Sequence, residues 1–281
     1  MSSTVDSTLQ PEELAEAARV AEDAARLAIR IVRSAPLGTV EEKVHAADLV
    51  TDVDRAVERE VRELVARRLP GHTLVGEEFG GAAADGPTWY CDPVDGTTNL
   101  VAGLPWTSFS LALAVGTSPL VGVVADPWRE EVVLAVAGKG VTVNGRPVPR
   151  TRPPHRSRLT GGVVLTEWAA HRPWPGMAPL LAALADRACT VRVMGSGTLA
   201  LGHVAAGRAT GAVISEFHPE DHLAAAFACA EAGLAVRDES GAQTPFPERG
   251  GILVCAPEAA DELFDVWREA VSAARDPGAG S

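Results

Sequence analysis

The chain has 281 residues, of which 46% are hydrophobic, and a formal net charge of −12 at pH 7. This length and apolar content suffice for a substantial core in one large domain or two closely apposed ones. The negative charge disfavours binding to nucleic acids or anionic membranes, since both require a basic surface that displaces counterions. The first residues lack a basic stretch followed by an apolar one, and no segment approaches the length of a membrane span, so we expect a cytoplasmic protein.

Cysteine usage and the chain ends complete this general description. The cysteines are widely separated and stand among apolar neighbours, without a CxxC pair or a Cys/His cluster that would indicate zinc or disulfides. We expect four reduced core residues: Cys91, Cys189, Cys229 and Cys255. The polar residues 1–10 and the tail 276–281 are predicted to be poorly ordered.

Two helices open the first half of the chain. Residues 11–33 and 52–69 carry apolar positions at helical spacing, and each pattern ends before a Pro or Gly. Short apolar runs of strand length follow, and we interpret them as a meander of antiparallel strands. These runs are 73–75, 89–91, 109–115, 121–125 and 132–137, with a hairpin turn predicted at Asn144-Gly145.

The second half has a different pattern. Residues 150–158 are basic and rich in proline, which predicts a connector. Beyond it strands and helices alternate, and this alternation favours an α/β fold. The strands are predicted at 162–165, 190–193, 212–215 and 252–255, and the helices near 179–186, from 196, over 219–232 and through 274. We therefore divide the chain into an N-terminal α+β half, residues 1–150, and a C-terminal α/β half, residues 151–281.

Acidic residues stand where predicted strands end. The sequence GEE, residues 76–78, follows one strand and DPVDGTTN, residues 92–99, follows the next. Asp48 and Asp54 flank the start of the second helix, and Asp221 opens a later one. Taken singly, each is explained by a helix cap or a solvated turn. If they converge on one pocket, however, they repel one another, and a bound cation is the natural compensation.

The ligand types indicate which cation this would be. Oxygen-only ligation suits Mg²⁺ or Mn²⁺ rather than zinc, which favours His or Cys. Asp92 and Asp95 can face one site if the chain turns sharply, and Pro93 and Gly96 supply such a turn. With the Val94 carbonyl exposed between the two carboxylates, this segment can hold two neighbouring ions, the arrangement used for in-line phosphoryl displacement.

The residues that follow predict a phosphate site. Gly96, Thr97 and Thr98 are expected to begin a short helix whose free N–H groups point toward an anion. The Thr97 hydroxyl can also orient an attacking water if a nearby carboxylate such as Asp54 accepts its proton.

Four segments resemble, in order and spacing, the signatures of the inositol monophosphatase family. They are DLVTDVD (48–54), GEE (76–78), DPVDGTTN (92–99) and EDHLAAAFACAEAG (220–233). The resemblance implies an alternating αβαβα sandwich of the sugar-phosphatase type, which is usually a homodimer. It also implies magnesium-dependent, lithium-sensitive hydrolysis of a small phosphorylated metabolite by a metal-activated water.

Residue roles are carried over from the same resemblance. Glu77, Asp92 and the Val94 carbonyl would bind a first ion, and Asp92, Asp95 and Asp221 a second. Glu77 would also contact a third, weaker ion, which gives two to three Mg²⁺ ions per site and a part for Glu77 in catalysis.

The remaining roles concern the water and the substrate. Thr97 with Asp54 would activate the water, and the backbone amides of Gly96 and Thr97 would hold the phosphate. Gly197 and Thr198 resemble the segment that lines the alcohol side of the substrate. Alternatively, Ser196 caps the helix there and Gly197 eases packing.

The loop before Asp221 departs from the family pattern. Glu220 stands where the family has Trp, and the loop is shortened, so Glu216 is only a candidate for the family's substrate-contacting Glu. We hypothesise that Glu216, His218 and Glu220 adapt the pocket to a substrate other than inositol monophosphate, such as one bearing an amine. An exposed loop position is the alternative explanation of His218.

Several functions therefore stay open. Within the family they are an inositol phosphatase, a histidinol-phosphate phosphatase and a fructose-1,6-bisphosphatase. A 3′-phosphoadenosine 5′-phosphate phosphatase is disfavoured, because no aromatic-rich platform for adenine is evident. A catalytically silent family member that acts as a binding protein is the alternative from another class.

Overall fold

The computed structural model describes residues 9–149, 157–168 and 171–275. The predicted connector at 150–158 lies largely outside these ranges, as do most of residues 1–10 and the whole tail 276–281.

The two predicted N-terminal helices are confirmed. Helix α1 (Pro11–Ser34) begins with proline in its first turn, where the missing N–H costs no hydrogen bond. Helix α2 (Asp52–Arg68) begins with a capping box: the Thr51 side chain accepts a hydrogen bond from a backbone N–H of the first turn, and the Asp54 side chain accepts one from the Thr51 N–H. Between the helices lies a short hairpin, β1 (Val40–Glu42) with β2 (Leu49–Thr51), which the sequence analysis did not predict. All three β1 residues are exposed, so no apolar alternation marks this strand.

A seven-stranded sheet forms the centre of the first half. Its strands, in spatial order, are β3 (Thr73–Gly76), β4 (Pro87–Asp95), β5 (Ser108–Val115), β6 (Ser118–Asp126), β7 (Glu131–Val136), β8 (Gly140–Val143) and β9 (Arg146–Pro147). From β4 onward the sheet is the predicted antiparallel meander. The prediction was wrong for β3, which runs parallel to β4, because residues 77–86 return the chain to the starting edge.

A five-stranded mixed sheet forms the centre of the second half. In chain order its strands are β10 (Val163–Thr166), β11 (Thr190–Val193), β12 (Gly211–Ile214), β13 (Ala235–Asp238) and β14 (Ile252–Cys255). The spatial order is β11-β10-β12-β14-β13, with β10 parallel to both its neighbours and β14 antiparallel to both of its own. The sequence analysis missed β13, a short strand at the sheet edge. The remaining helices are α3 (Thr97–Ala102), α4 (Met177–Asp186), α5 (Gly197–Ala205), α6 (Pro219–Glu231) and α7 (Ala260–Arg275).

The buried side chains define five layers. One core lies between the large sheet and the pair α1 and α2. A second contains α5 and α6, which lie between the two sheets. A third packs α4 and α7 against the outer face of the small sheet. The fold is therefore the predicted αβαβα sandwich, and all four cysteines are buried within it as free thiols.

Candidate active site

A cavity of about 580 Å³ lies between the two halves of the chain. The end of β4, the first turns of α3, α5 and α6, and the loop between β1 and β2 all contribute to its wall. Among the described residues that line it, none is Lys or Arg. The wall instead carries seven carboxylates, from Asp48, Glu77, Asp92, Asp95, Glu167, Glu216 and Asp221.

Three of these carboxylates converge. One oxygen each from Glu77, Asp92 and Asp221 lies within 4.8 Å of the others. Asp92 is only 2% exposed. Burial raises the pKa of Asp92 and Asp221 well above the ordinary aspartate value, and the neighbouring negative charges raise both further. An arrangement of this kind is unfavourable when ionised without a cation, and it offers the oxygen ligands that Mg²⁺ prefers.

The sharp turn expected after Asp92 is present. The pairing of β4 with β5 shifts register between Asp92 and Asp95, and the Val94 N–H donates to Asp92 Oδ1 at 2.8 Å. Gly96 has φ +91°, and a Cβ there would lie 2.6 Å from the Gly195 carbonyl oxygen. Only glycine fits this position, and it allows the chain to turn sharply from the end of β4 into α3.

Asp95 is held by the second half of the chain. Its Oδ2 accepts hydrogen bonds from Ser196 Oγ and from the Thr198 N–H, both at 2.7 Å. Ser196 also caps α5 by accepting from the Leu199 N–H. Asp95 thus lines the same cavity as the three converging carboxylates, and its Oδ2 already accepts hydrogen bonds from the protein.

Thr97 lies between two acceptors. Its hydroxyl is 2.8 Å from Asp54 Oδ1 and 2.9 Å from the Val94 carbonyl oxygen. A hydroxyl has one proton, so it donates to only one of them at a time. Burial raises the pKa of Asp54 against the opposing effect of hydrogen bonds from Thr51 and Thr97. A raised pKa makes Asp54 a better proton acceptor.

The loop that carries Glu77 is fixed from two sides. Glu58 is fully buried, and its carboxylate accepts from the N–H groups of Glu78 and Phe79 at 2.7 and 3.2 Å. On the solvent side Lys43 Nζ lies 2.8 Å from Glu77 Oε1 and also contacts Glu78. Burial opposes the charged form of Lys43, but the two carboxylates raise its pKa overall. Burial raises the pKa of Glu78 to about 6 despite this lysine.

The predicted substrate-side residues occupy different depths. Thr98 and Gly197 line the cavity, whereas Thr198 is fully buried behind them and donates its hydroxyl to the Asp221 carbonyl oxygen. Glu216 and His218 are exposed residues of the cavity wall, and Glu216 Oε1 lies 4.0 Å from His218 Nε2.

Glu220 does not line the cavity, so the three residues of the altered loop do not converge on one point.

Among the wall residues that sequence reasoning missed are Glu167, Trp168, His171 and His222. Glu167 follows the end of β10, the same signal that singled out Glu77 and Asp92. Burial and the nearby Asp95 raise the pKa of Glu167 to about 8. Burial lowers the pKa of His222 to about 3. The ring of His171 in the wall meets that of His45 edge to face, with centroids 4.5 Å apart.

No helix in the described parts of the chain is long and apolar enough to cross a membrane.

Comparisons with known proteins agree with this geometry. The sequence profile of the inositol monophosphatase family matches residues 10–272. The chain is 34% identical over 222 residues to Nus factor SuhB of Pasteurella multocida, covering 78% of this chain and 82% of the relative. It is also 34% identical over 235 residues to inositol monophosphatase 3 of Solanum lycopersicum, covering 80% and 86%.

A solved structure supports the same assignment. The IMPase of Thermotoga maritima superposes with a TM-score of 0.80 at 26% identity, covering 93% of this chain and 98% of that one. The chain therefore belongs to the inositol monophosphatase family, a family of phosphoric monoester hydrolases.

Proposed function

We propose that this protein is a Mg²⁺-dependent phosphatase that hydrolyses the phosphate monoester of a small polar metabolite. The observation that carries the proposal is the convergence of the Glu77, Asp92 and Asp221 carboxylates in a cavity between the two halves. Asp92 is buried, and none of the described residues that line the cavity is Lys or Arg. Lys43 pairs with Glu77 but does not line the cavity, so a bound cation is the natural compensation for the charges of Asp92 and Asp221.

The residues fit Mg²⁺ by their chemistry. Glu77, Asp92, Asp95, Asp221 and the Val94 carbonyl form an all-oxygen donor set around one cavity, without the Cys or neutral His ligands that zinc prefers. We assign these five residues to two or three Mg²⁺ ions, with Mn²⁺ as a substitute. Such ions supply Lewis-acid activation of water and neutralise phosphate oxygens.

The protein groups next to the ions perform the proton transfer. Thr97 accepts a proton from the attacking water while its own proton passes to Asp54, 2.8 Å away. Asp54 can accept it because its carboxylate lies in a buried setting that raises its pKa. The N–H groups of Gly96 and Thr97 at the start of α3 hold the phosphate oxygens.

The charge of the cavity wall argues for a substrate with one phosphate. A second phosphate on the substrate would need an Arg or Lys partner, and the described lining residues include neither. An inositol monophosphate or another polyol or amino-alcohol phosphate, including histidinol phosphate, therefore fits better than fructose-1,6-bisphosphate. Relatives named inositol monophosphatase support the same substrate class.

The assembly and location follow from the family resemblance. We propose a cytoplasmic homodimer, sensitive to lithium. Leu104 and Trp128 are apolar side chains that are 53% and 37% exposed, and burial between two copies would remove them from water. Light scattering on the purified protein measures the mass and tests this proposal.

A second candidate function is that of a binding protein without turnover, because several relatives carry the name Nus factor SuhB. Phosphate release distinguishes the two. The purified protein should be assayed on inositol 1-phosphate, histidinol phosphate, fructose-1,6-bisphosphate and 3′-phosphoadenosine 5′-phosphate, with Mg²⁺ and with a chelator. Mg²⁺-dependent release from a monophosphate supports the phosphatase; no release from any of them favours the binding protein.

A further inference from the structure

His222 lies in the cavity wall in a fixed orientation. It follows Asp221 in the first turn of α6 and is 6% exposed. The backbone N–H of His218 donates to His222 Nδ1 at 3.0 Å. The rings of Phe217 and His218 pack beside it, with centroids 5.9 and 6.3 Å away. Because Nδ1 accepts a hydrogen bond, the ring proton is on Nε2, which is therefore a donor.

This donor is directed at Gly197. A Cβ atom built at Gly197 would lie 2.8 Å from His222 Nε2 and 3.4 Å from Glu167 Cγ. The φ of Gly197 is outside the left-handed region, so its backbone conformation suits any residue. What glycine provides here is space, and that space leaves Nε2 accessible from the cavity. No described residue accepts a hydrogen bond from Nε2.

The neighbouring wall offers acceptors. Glu167 borders the same Cβ position of Gly197, with Oε2 accepting from the Gly195 N–H at 2.9 Å, and Glu216 adds a second carboxylate to the wall. An ammonium group has no lone pair and cannot accept from His222 Nε2–H. A hydroxyl oxygen accepts from this N–H, and its own proton remains free to bond a carboxylate or water.

We propose that His222 is a specificity-determining residue that donates through Nε2–H to a hydroxyl of the substrate's alcohol. The inference rests on the proposed phosphatase function. It assigns to the site phosphate monoesters whose alcohol carries a free hydroxyl near the ester, since His222 directly follows the metal-binding candidate Asp221. Esters that place an ammonium at the same position are disfavoured. His222 thus narrows the polyol and amino-alcohol phosphates proposed above to a neutral polyol phosphate, and it disfavours the amine considered from sequence.

Three substrates that differ in one group test this directly: 2-hydroxyethyl phosphate, 2-aminoethyl phosphate and ethyl phosphate. For the wild-type protein with Mg²⁺ we expect kcat/KM to be about tenfold higher for the hydroxyl compound than for ethyl phosphate, as for one hydrogen bond. We expect no such gain for the amine. His222→Phe should abolish the hydroxyl preference, and His222→Gln, whose amide can accept from His218 and donate to the ligand, should retain it.

His203 provides a matched control. It is another buried neutral histidine, 5% exposed, whose Nε2 has no partner among the described residues and which does not line the cavity. His203→Phe should keep the hydroxyl preference.

Equal losses on all three compounds in His222→Phe would mean that this residue only stabilises α6, and would overturn the inference. A wild-type preference for the amine would also overturn it. If the wild type releases phosphate with Mg²⁺ but does not prefer the hydroxyl compound over ethyl phosphate, only the inference about His222 is refuted. Absence of release from every compound refutes the phosphatase proposal as well.

Discussion

The carboxylate of Glu58 accepts the backbone N–H of Glu78 at 2.7 Å, and this contact anchors the loop that carries Glu77. Glu58 is itself held by Arg62, whose Nε donates to Oε1 at 2.8 Å. A Cβ at Gly76 would collide with the Glu58 carboxylate, so the glycine before Glu77 lets the helix and the loop approach closely. The position of the proposed metal ligand Glu77 therefore depends on a residue nineteen positions earlier in the chain.

Replacing Glu58 should weaken metal binding while leaving the chemistry intact. In Glu58→Gln the charge facing Arg62 is lost and the loop loosens. We expect the Mg²⁺ concentration for half-maximal activity to rise by about tenfold or more, as for other residues that orient metal ligands. The rate at saturating Mg²⁺ should change much less. Glu16→Gln is the control, because Glu16 pairs with Arg19 and Arg68 away from the cavity; an equal effect there would contradict the role given to Glu58.

Removing one converging carboxylate should have opposite effects on stability and activity. Asp92→Asn relieves charge repulsion in the buried cluster, so the metal-free protein should melt at a higher temperature. The same change should lower phosphate release at least ~100-fold and remove the stabilisation by Mg²⁺. Thermal melts with and without Mg²⁺ measure both effects.

Asp126→Asn is the matched control for Asp92. Asp126 is 3% exposed but is paired with Arg129 at 2.8 Å, so its loss should lower the melting temperature with or without Mg²⁺. If the metal-free Asp92→Asn protein were also less stable than the wild type, the cluster would not be under electrostatic strain.

The metal-free protein should lose stability as the pH rises. Glu78 and Glu167 have folded pKa values raised to about 6 and about 8. A carboxyl group with a raised pKa binds its proton more tightly when folded, so its stabilising contribution is present at low pH and is lost as the pH passes the folded value. Melting temperatures should therefore fall from about pH 4.5, the ordinary glutamate value, to about pH 8. In Glu167→Gln the fall at the alkaline end should be smaller; an unchanged slope would contradict the assignment.

The Thr97 hydroxyl should matter for the rate rather than for metal affinity. Thr97→Val keeps the shape of the side chain but removes the proton path to Asp54, so kcat should fall by about 100-fold or more. Thr97→Ser keeps the hydroxyl and should retain most of the activity. Steady-state rates over a Mg²⁺ titration separate kcat from the Mg²⁺ concentration that gives half-maximal activity. A Val variant with normal kcat would exclude Thr97 from the proton transfer.

Local patterns were sufficient to predict much of the fold. The helical spacing of α1 and α2, the apolar runs of β4 to β7 and the alternation of the second half each reflect a burial pattern readable within one element. The strands that were missed, β1, β2 and β13, are three or four residues long, and β1 is wholly exposed. The parallel pairing of β3 with β4 depends on the path of residues 77–86, which carries no periodic signal.

The candidate site was predictable where its residues belong to one segment. Asp92, Asp95 and Thr97 lie on one bulged strand and the helix that follows, so their proximity is a property of the local turn. Glu167 and His222 come together only because β10 and α6 both border Gly197. No spacing along the chain encodes that contact, and the orientation of His222 depends on a backbone donor visible only in the folded loop.

The central claim is that the carboxylate cluster holds Mg²⁺ for phosphate ester hydrolysis. The most direct measurement is the rate of inorganic phosphate release from inositol 1-phosphate over a Mg²⁺ titration, for the wild type and for Asp92→Asn. We predict release that saturates with Mg²⁺, stops with chelator and is lost in the variant. Release that persists in chelator, or that is equal in the two proteins, would contradict the account.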